Sequence, residues 1–337
     1  MRYPVRLALS GLRLRHKRAH GLLVRDFVSW LRVEFLGAAA GTGLLAALAT
    51  PRTAGELADE LDVADAGLLV ALLEVGRATG ELDCRRGRWR LAGVRSRALV
   101  DPAVDGLAAL PEEAVSYGAD VYRRLGDRLA GAPRGDYLAT CGEVVARTSR
   151  VAEPIFGPLL ADLVRTREAR SVLEVGCGSG VNLRHVAEAS PHVTGTGLDV
   201  DPGVVALARR ELAAWGLAGR ISVREADVRA LPDDLARPWD LVLLMQNIYY
   251  FGEGERTDLL SRLHRLVPHG ALVVATAVRG TGDPAAAHLD LVLRSTAGNT
   301  PLPTVDELRS DLRVAGFRAV EVRRLAPFQP LRALVAW

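Results

Sequence analysis

The spacing of apolar residues changes near residue 170, and the second half of the chain alternates two patterns. Short apolar runs typical of buried strands alternate with segments whose apolar residues recur at helical spacing. The predicted strands are 171–175, 193–198, 221–224, 241–245 and 271–277, and the predicted helices between them include 181–189, 203–215 and 256–266. Repeated strand–helix units predict an α/β fold with a doubly wound, mostly parallel, Rossmann-like sheet.

Two further strands, 317–324 and 331–336, complete a seven-stranded sheet within the predicted domain 168–337. They follow a helix that begins with the capping-box pattern of Thr304 and Glu307. The connection between these last strands is too short for a helical crossover, so we expect them to pair antiparallel.

Residues 35–105 have a mainly helical pattern and are predicted to form a separate domain. A first apolar helix is predicted over 35–49. Thr53 and Glu56 form a capping-box pattern at the start of a second helix, and Asp65 is the predicted cap of a third. The apolar face predicted for this third helix consists of Leu68, Leu69, Leu72, Leu73 and Val75.

A hairpin follows the three helices, with alternating segments at 81–84 and 88–91 and a turn at Gly87. Three helices and a hairpin predict a winged helix, a fold that serves DNA binding or dimerisation. The third helix carries Glu74 and one arginine, Arg77, on its outward positions, with no run of side chains suited to base edges. DNA binding is therefore not favoured, although the wing has four arginines, Arg85, Arg86, Arg88 and Arg90.

Two segments flank this predicted domain. Residues 1–34 form a basic helical arm with interleaved leucines, which we expect to pack on its own protein or on a second subunit; contact with an anionic surface or nucleic acid is the alternative. Residues 106–167 have no strand pattern and are predicted to be a helical linker or lid. The arm and the helix 35–49 offer more apolar surface than a small domain can bury, which predicts a homodimer through residues 1–110.

Composition excludes several classes of protein. The 43 Lys+Arg and 40 Asp+Glu residues give a net charge of +3, too small by itself to indicate a nucleic-acid or membrane partner. The three cysteines form no CxxC pair, so we expect neither a zinc site nor a disulfide framework, and a reducing cytoplasm fits. The apolar stretch 22–49 includes four charged residues and is a poor membrane span. No secretory signal is expected.

A glycine-rich turn after the strand 171–175 carries the central chemical signal. Gly176, Gly178 and Gly180 remove side chains where the backbone must approach a ligand closely. A dinucleotide fingerprint needs Gly-x-Gly-x-x-Gly, and here the third glycine comes one residue early, which disfavours NAD. Asp199 follows the second strand of the sheet, where a carboxylate can accept hydrogen bonds from both ribose hydroxyls, and Asp227 follows the third, where an adenine would lie.

This set of residues resembles class I S-adenosylmethionine (AdoMet)-dependent methyltransferases over about residues 166–337. With the winged-helix prefix, the whole chain resembles bacterial small-molecule O-methyltransferases of the dimeric, acetylserotonin-methyltransferase-like type. The resemblance implies AdoMet as the cofactor, with Asp199 at the ribose, Asp227 and Val228 at the adenine, and Glu174 and Gln246 near the methionine. The cofactor-binding residues that it implies are Glu174, Gly176, Cys177, Gly178, Gly180, Asp199, Val200, Asp227, Val228 and Gln246.

The resemblance fails after the strand 241–245. Many such O-methyltransferases have an Asn-x-Leu-His-Asp-Trp-like segment there, whose histidine is the general base. Here the sequence is Gln-Asn-Ile-Tyr-Tyr-Phe, and Tyr250 takes approximately the place of the histidine. A phenol with a pKa of about 10 is a poor base at neutral pH, so alignment of the acceptor with the sulfonium can suffice. The residues predicted for the substrate pocket are Asn247, Tyr249, Tyr250 and His288, of which Tyr250 and His288 are the candidate catalytic groups.

The sequence therefore predicts AdoMet-dependent methyl transfer to a small molecule, with oxygen as the favoured acceptor atom. Methyl transfer to carbon or nitrogen is the near alternative. A regulator that binds a small molecule and contacts DNA through its wing, or a non-methylating use of the cofactor pocket, would be a different class of function. The histidine and acidic residues show no ligand spacing, so no metal is expected.

Overall fold

The computed structural model describes residues 15–101, 104–326 and 330–337. The chain forms two compact units, divided between Ala119 and Asp120. This division falls within the segment 106–167, so the predicted linker is shared between the two units. Residues 1–14 of the predicted basic arm lie outside the described residues.

The first unit begins with a long helix, α1 (Lys17–Gly41). The predicted boundary between the arm and the winged-helix domain, at residues 34 and 35, falls inside α1, so the arm and the start of that domain are one continuous helix. The predicted helix 35–49 is instead interrupted, because Gly43 has a φ of 77° and separates α1 from the short helix α2 (Leu44–Ala47). The C-terminal part of α1 contributes Phe35 to the core of this unit.

Helices α3 (Ala54–Glu60) and α4 (Ala66–Ala78) begin at the predicted caps. The Thr53 hydroxyl accepts a hydrogen bond from the N–H of Glu56 at 3.2 Å, and the Glu56 carboxylate accepts one from the N–H of Thr53 at 2.7 Å. Asp65 accepts a bond from a backbone N–H in the first turn of α4. The capping box and the Asp65 cap are thereby confirmed.

The predicted apolar face of α4 is only partly right. Leu69 and Leu73 are buried, whereas Leu68 is 68% exposed and Val75 is 37% exposed. The buried stripe continues from Leu73 to Gly76, where an added Cβ would lie 2.5 Å from the Phe35 ring. The helix thus packs through a narrower stripe than its apolar residues indicated, because α1 approaches it at a glycine.

The hairpin is present as predicted, with β1 (Leu82–Arg85) and β2 (Arg88–Leu91) paired antiparallel. Arg86 and Gly87 both have positive φ and form the turn. The order of helices and hairpin that the sequence indicated is therefore observed. The unit ends with α5 (Val94–Ala98), α6 (Asp105–Glu113) and a π-helical turn (Ala114–Gly118).

The division falls after the first residue of α7 (Ala119–Arg123), and the second unit continues before the sheet with α8 (Leu125–Leu129), α9 (Tyr137–Ser149) and α10 (Glu153–Thr166). Helix α10 buries Leu160 and Leu163 completely within the core of the sheet. The last part of the predicted linker therefore belongs to the sheet unit, because its apolar face has the sheet as its partner.

The sheet has seven strands in the order β5-β4-β3-β6-β7-β9-β8. Strands β3 to β7 are parallel to their neighbours, and β9 is antiparallel to both β7 and β8. The predicted fold class is confirmed. The strands are β3 (Ser171–Val175), β4 (Thr194–Asp199), β5 (Ile221–Glu225), β6 (Leu241–Met245), β7 (Ala271–Ala277), β8 (Val320–Arg324) and β9 (Leu331–Ala336).

Within the described residues, five helices connect the strands of the sheet. The central strands β6 and β7 are buried along their whole length, as expected for continuous apolar runs in a parallel sheet. The strand order reverses between β3 and β6, and ligands of open α/β sheets bind outside the carboxyl ends of the strands at this point. The connecting helices are α11 (Val181–Ala189), α12 (Pro202–Ala214), α13 (Glu253–Leu266), α14 (Pro284–Arg294) and α15 (Val305–Val314).

Within the described part of the chain, every helix is too short or too polar to cross a membrane.

Candidate active site

The glycine-rich turn joins β3 to α11 at the point where the strand order reverses. Gly176, Gly178 and Gly180 have φ values of 65°, 54° and 79°, which side chains rarely adopt. A Cβ at Gly176 would lie 2.5 Å from Nδ2 of Asn247, whereas a Cβ at Gly178 would meet no atom within 4 Å. The turn is therefore packed against protein on one side and leaves open space on the other, as a ligand cradle requires.

Glu174 lies on β3 directly below this turn and is completely buried. Its Oε1 accepts a hydrogen bond from Nδ2 of Asn182 at 2.7 Å, while its Oε2 is buried with no hydrogen-bond partner. Burial raises the pKa of the Glu174 carboxyl to about 8, and the nearby Asp199 carboxylate acts in the same direction. A neutral carboxyl with an unused oxygen therefore lies under the glycine turn at neutral pH.

Asp199 ends β4 and faces the same turn. Its Oδ2 accepts a hydrogen bond from the N–H of Gly178 at 3.1 Å, and its Oδ1 accepts one from the N–H of Asp201 at 3.2 Å. Burial raises the pKa of this carboxyl, although the backbone N–H groups oppose the shift. Val200, the next residue, is 62% exposed. The structure thus brings Asp199 to the glycine turn, because the carboxyl ends of the adjacent parallel strands β3 and β4 share one edge of the sheet.

Cys177 lies inside the turn and is buried. Its N–H donates to the carbonyl of Leu198 at 2.8 Å, and its Sγ packs where a side chain on Gly197 would otherwise lie. Burial raises the pKa of the thiol well above its usual range, and the Glu174 and Asp199 carboxyls act in the same direction. The thiol is therefore protonated and fills space between β3 and β4.

Asp227 follows β5 and caps a short 3₁₀ turn. Its Oδ1 accepts a hydrogen bond from the N–H of Arg229 at 2.9 Å, and its Oδ2 lies 3.5 Å from the Arg229 guanidinium. Val228 is buried beside it. Sequence reasoning missed Arg229, which also pairs with Glu255 and lies over the ring of Phe251. We call Glu174, Gly176–Gly180, Asp199 and Asp227 the cofactor edge.

The segment Gln246–Phe251 leaves β6 at the neighbouring strand end. Gln246 has a φ of 57°, and its Oε1 accepts a hydrogen bond from the N–H of Ala277 at 2.9 Å. Its side chain thus ties β6 to β7. Asn247, predicted for the substrate pocket, instead turns toward β3: it is buried and its Nδ2 donates to the carbonyl of Val175. That side chain supports the glycine turn, because it packs on Gly176.

Tyr249 and Tyr250 form a 3₁₀ turn after Asn247. Their rings meet edge to face with centroids 4.8 Å apart; Tyr249 is buried and Tyr250 is half-buried. The guanidinium of Arg229 lies 3.4 Å from the carbonyl of Tyr250. A cation therefore stands near this turn, although Glu255 and Asp227 neutralise it. We call this turn and the loop 295–303 the acceptor side.

His288 lies on α14, and the structure pairs it with Tyr122 of α7. The Tyr122 hydroxyl and Nδ1 of His288 are 3.0 Å apart, and the two rings stack with centroids 5.6 Å apart. Tyr122 is 54% exposed. Sequence spacing placed Tyr122 on a helix but gave no sign of this pairing, because the residues are 166 positions apart.

The donor set at the cofactor edge fits AdoMet. The turn has open space at Gly178, an unused buried oxygen on Glu174, and a carboxylate, Asp199, at the end of the adjacent strand. Each is a group that a nucleoside carrying an amino-acid tail would use. In the described ranges, no group of three or more His, Cys, Asp or Glu side chains is arranged to hold a metal ion.

Comparison with known proteins agrees with this chemistry. A family model for the methyltransferase domain matches residues 172–270. The chain is 29% identical over 264 residues to 3-hydroxy-5-methyl-1-naphthoate 3-O-methyltransferase of Streptomyces sahachiroi, a match that covers 75% of each protein. It is also 31% identical over 175 residues to aclacinomycin 10-hydroxylase RdmB of Streptomyces purpurascens, which covers 51% of this chain and 43% of that protein.

Among solved structures, human N-acetylserotonin methyltransferase in complex with SAM (AdoMet) superposes with a TM-score of 0.74. That match covers 96% of this chain and 98% of the human chain at 18% identity. At this identity the match shows a shared fold alone. The matched domain is consistent with the glycine turn, the strand-end carboxylates and the seven-stranded sheet of the structure. The chain carries a methyltransferase domain over residues 172–270 and, with the relatives that it matches, is an AdoMet-dependent methyltransferase.

Proposed function

We propose that this protein transfers the methyl group of AdoMet to a hydroxyl oxygen of a small-molecule secondary metabolite. The observation that carries the proposal is the match to the naphthoate O-methyltransferase, which extends over three quarters of both chains. The half-buried Tyr250 ring beside Tyr249 supports an aromatic acceptor, since stacked or edge-on rings favour each other.

The residues of the cofactor edge have distinct roles in this proposal. Asp199 holds the ribose hydroxyls, Asp227 and the Val228 backbone hold the adenine, and Gly176–Gly180 with Glu174 border the methionine part. Gln246, fixed to β7, lies beside that part. When bound, AdoMet supplies an electrophilic methyl group on a sulfonium.

Alignment of the acceptor is the main contribution of the acceptor side. A positioned nucleophile gains several kcal/mol relative to the free reaction, on the order of 7–11 kcal/mol in the best intramolecular cases. His288, with its Nδ1 at the Tyr122 hydroxyl, is the candidate that would take the acceptor's proton at Nε2. Tyr250 is assigned to the wall of the pocket.

A product assay tests this proposal. The purified chain is incubated with AdoMet and a set of hydroxynaphthoates, naphthols and catechols, and the products are identified by mass spectrometry and NMR. A methyl ether, formed together with S-adenosylhomocysteine, is the expected product. A C-methyl or N-methyl product would change the acceptor atom, and DNA retardation without methyl transfer would favour the regulator.

The match to a hydroxylase favours a second candidate, a non-methylating use of the same pocket. The same assay separates the two. In that case AdoMet would be recovered unchanged while the aromatic substrate gains an oxygen atom in the presence of a reductant and dioxygen. Recovery of unchanged AdoMet with every acceptor would therefore count against methyl transfer.

The ion pairs of the wing disfavour a DNA-binding regulator. Arg85 and Arg90 both lie against Asp83, at 3.0 and 2.6 Å, and Arg88 lies 3.1 Å from Glu56. Arginines that are already paired with carboxylates contribute less to phosphate binding. We propose that this unit serves assembly and does not bind DNA.

Helix α1 supports a homodimer. Its described N-terminal part exposes a group of large apolar side chains: Leu22, Leu23, Val24, Phe27, Val28, Trp30 and Val33. Such a patch on a helix is typical of an interface, and a second copy of the chain is the occupant we propose. Light scattering should give twice the chain mass of 36.1 kDa at micromolar concentration. A monomer of the full chain would contradict this assembly.

A further inference from the structure

The loop between α14 and α15 contains an unusual number of buried polar residues. Ser295, Thr296 and Asn299 are buried, and the side chain of Arg256, which reaches this loop from α13, is only 5% exposed. Burying polar groups costs free energy unless each finds a partner. A loop built in this way is stabilised less by apolar burial than by specific hydrogen bonds, so its backbone position is closely defined.

Thr300 makes the central contacts of this loop. Its N–H donates to the carbonyl of Tyr249 at 2.8 Å. Its Oγ1 lies 3.0 Å from the same carbonyl and 3.2 Å from the carbonyl of Phe251. These two carbonyls flank Tyr250 on either side. Thr300, through its N–H and its single hydroxyl proton, therefore holds the backbone of the acceptor-side turn both before and after the tyrosine.

Arg256 determines where the Thr300 hydroxyl points its proton. Its Nη2 donates to the Thr300 hydroxyl at 3.1 Å, so that hydroxyl acts as an acceptor there and turns its single proton toward a carbonyl. The nearest carboxylate, Asp311, is 3.7 Å from the guanidinium, and Nε of Arg256 is buried with no hydrogen-bond partner. A buried guanidinium so weakly compensated is costly, which argues for a role other than stability.

The same loop is fastened at both ends. Gly135 donates its N–H to the carbonyl of Ser295 at 2.9 Å and accepts from the N–H of Ala297 at 2.8 Å, which joins the loop to the connection between α8 and α9. The N–H of Leu302 donates to Asp290 at 2.8 Å. The loop is thus joined to the connection between α8 and α9, which is distant in the sequence, and to the preceding helix α14.

We propose that Thr300, oriented by Arg256, is a positioning residue that sets the acceptor-side turn against the cofactor edge. This inference rests on the proposed function, because alignment of the acceptor is what such positioning would serve. It assigns a role to a loop that neither the glycine turn nor the candidate bases explain.

Thr300→Val tests the proposal, because it keeps the shape and the N–H bond but removes the hydroxyl. Hydrogen–deuterium exchange of the peptide covering 246–252 should speed up about fivefold, the effect of losing roughly 1 kcal/mol. Thr300→Ser keeps the hydroxyl, so this peptide should exchange at the parent rate. Thr296→Val is the matched control, since that buried hydroxyl, in the same loop, bonds only to the carbonyl of Val292 in α14, at 2.8 Å.

Two further readouts separate positioning from a general loss of structure. The Kd for S-adenosylhomocysteine should stay within about twofold of the parent in both variants, because neither hydroxyl contacts the cofactor edge. With 3-hydroxy-1-naphthoic acid as the acceptor probe, kcat should fall in Thr300→Val and recover in Thr300→Ser. Equal exchange in the Thr300→Val and Thr296→Val proteins would overturn the proposal. A parent protein inactive on this probe would count against the proposed function alone, and the exchange result would still decide the role of Thr300.

Discussion

The cofactor edge and the acceptor side are built from contacts of different range. At the cofactor edge, Asn182 reaches Glu174 across 8 positions and Gly178 reaches Asp199 across 21. On the acceptor side, Thr300 reaches Tyr249 across 51 positions, and in α14, the helix before that loop, His288 meets a tyrosine 166 positions away. The first region follows from one strand–turn–helix unit and its neighbouring strand. The second exists only once the whole unit has folded, so it has more freedom to differ between related proteins.

The largest effect is expected at the glycine turn. Gly176→Ala should lower the free energy of unfolding by about 3 kcal/mol, because it combines a positive φ with a Cβ 2.5 Å from Asn247. Gly216→Ala is the matched control, with a φ of 71° and no atom within 4 Å of the added Cβ, so only the strain of about 1–2 kcal/mol applies. Urea unfolding measures both. Equal losses would mean that Asn247 does not crowd the turn.

A second effect is a pH dependence that originates at Glu174. Its pKa is raised from 4.5 to about 8 by burial, so the folded chain holds a proton that the unfolded chain releases above pH 4.5. Stability should therefore be highest at low pH in this window and fall as pH rises toward 8, by up to about 1.4 kcal/mol per pH unit. Other buried carboxyls also make the unfolding free energy depend on pH. The contribution of Glu174 is therefore measured by comparing the parent with a variant that lacks this carboxyl.

Glu174→Gln isolates that contribution. The amide is neutral at every pH, so the difference in unfolding free energy between variant and parent should grow from pH 6 to pH 7 in favour of the variant. Urea unfolding at these two pH values, for both proteins, gives the difference. An unchanged difference would place the ionisation of Glu174 outside this range.

A third and smaller effect concerns Tyr250 of the acceptor-side turn. If Tyr250 shapes the pocket, Tyr250→Phe keeps the ring, and turnover should fall by less than about tenfold, under 1.4 kcal/mol. Steady-state rates with the best acceptor of the product assay measure this. Complete loss of turnover with unchanged cofactor affinity would instead make Tyr250 the acid or base.

The pair of His288 and Tyr122 gives a related prediction. His288→Gln should remove the acidic limb of the pH–rate profile if the imidazole accepts the proton. Tyr122→Phe, which removes the hydroxyl 3.0 Å from Nδ1, should leave that limb in place. A profile that neither substitution alters would leave alignment alone as the source of the rate.

The sequence predicted the sheet well because its strands are short apolar runs between turn residues. The bounds of β3, β6, β7 and β9 agree with the pattern. It did not predict that α1 continues through residue 34, because exposed apolar residues and buried ones share one helical spacing. The break at Gly43 depends on a single left-handed residue, which periodicity does not reveal.

The cofactor edge and the acceptor side also differ in how far the sequence predicts their contacts. Glu174, Gly176–Gly180 and Asp199 lie together because the ends of adjacent parallel strands share one edge. Asn247 was assigned to the substrate pocket, yet it packs on the glycine turn, and Thr300 had no signal at all. A side chain's direction after a strand, and a hydrogen bond across 51 positions, depend on tertiary packing that a single sequence does not encode in its spacing.

Titration calorimetry with S-adenosylhomocysteine on two variants tests most directly that the two regions have separate tasks. Asp199→Ala should weaken binding by about 1–3 kcal/mol, because hydrogen bonds to both ribose hydroxyls are lost. Thr300→Val should leave the Kd within about twofold of the parent. This pair of results is what the account predicts. Equal affinity in Asp199→Ala and the parent, or a comparable loss in both variants, would contradict it.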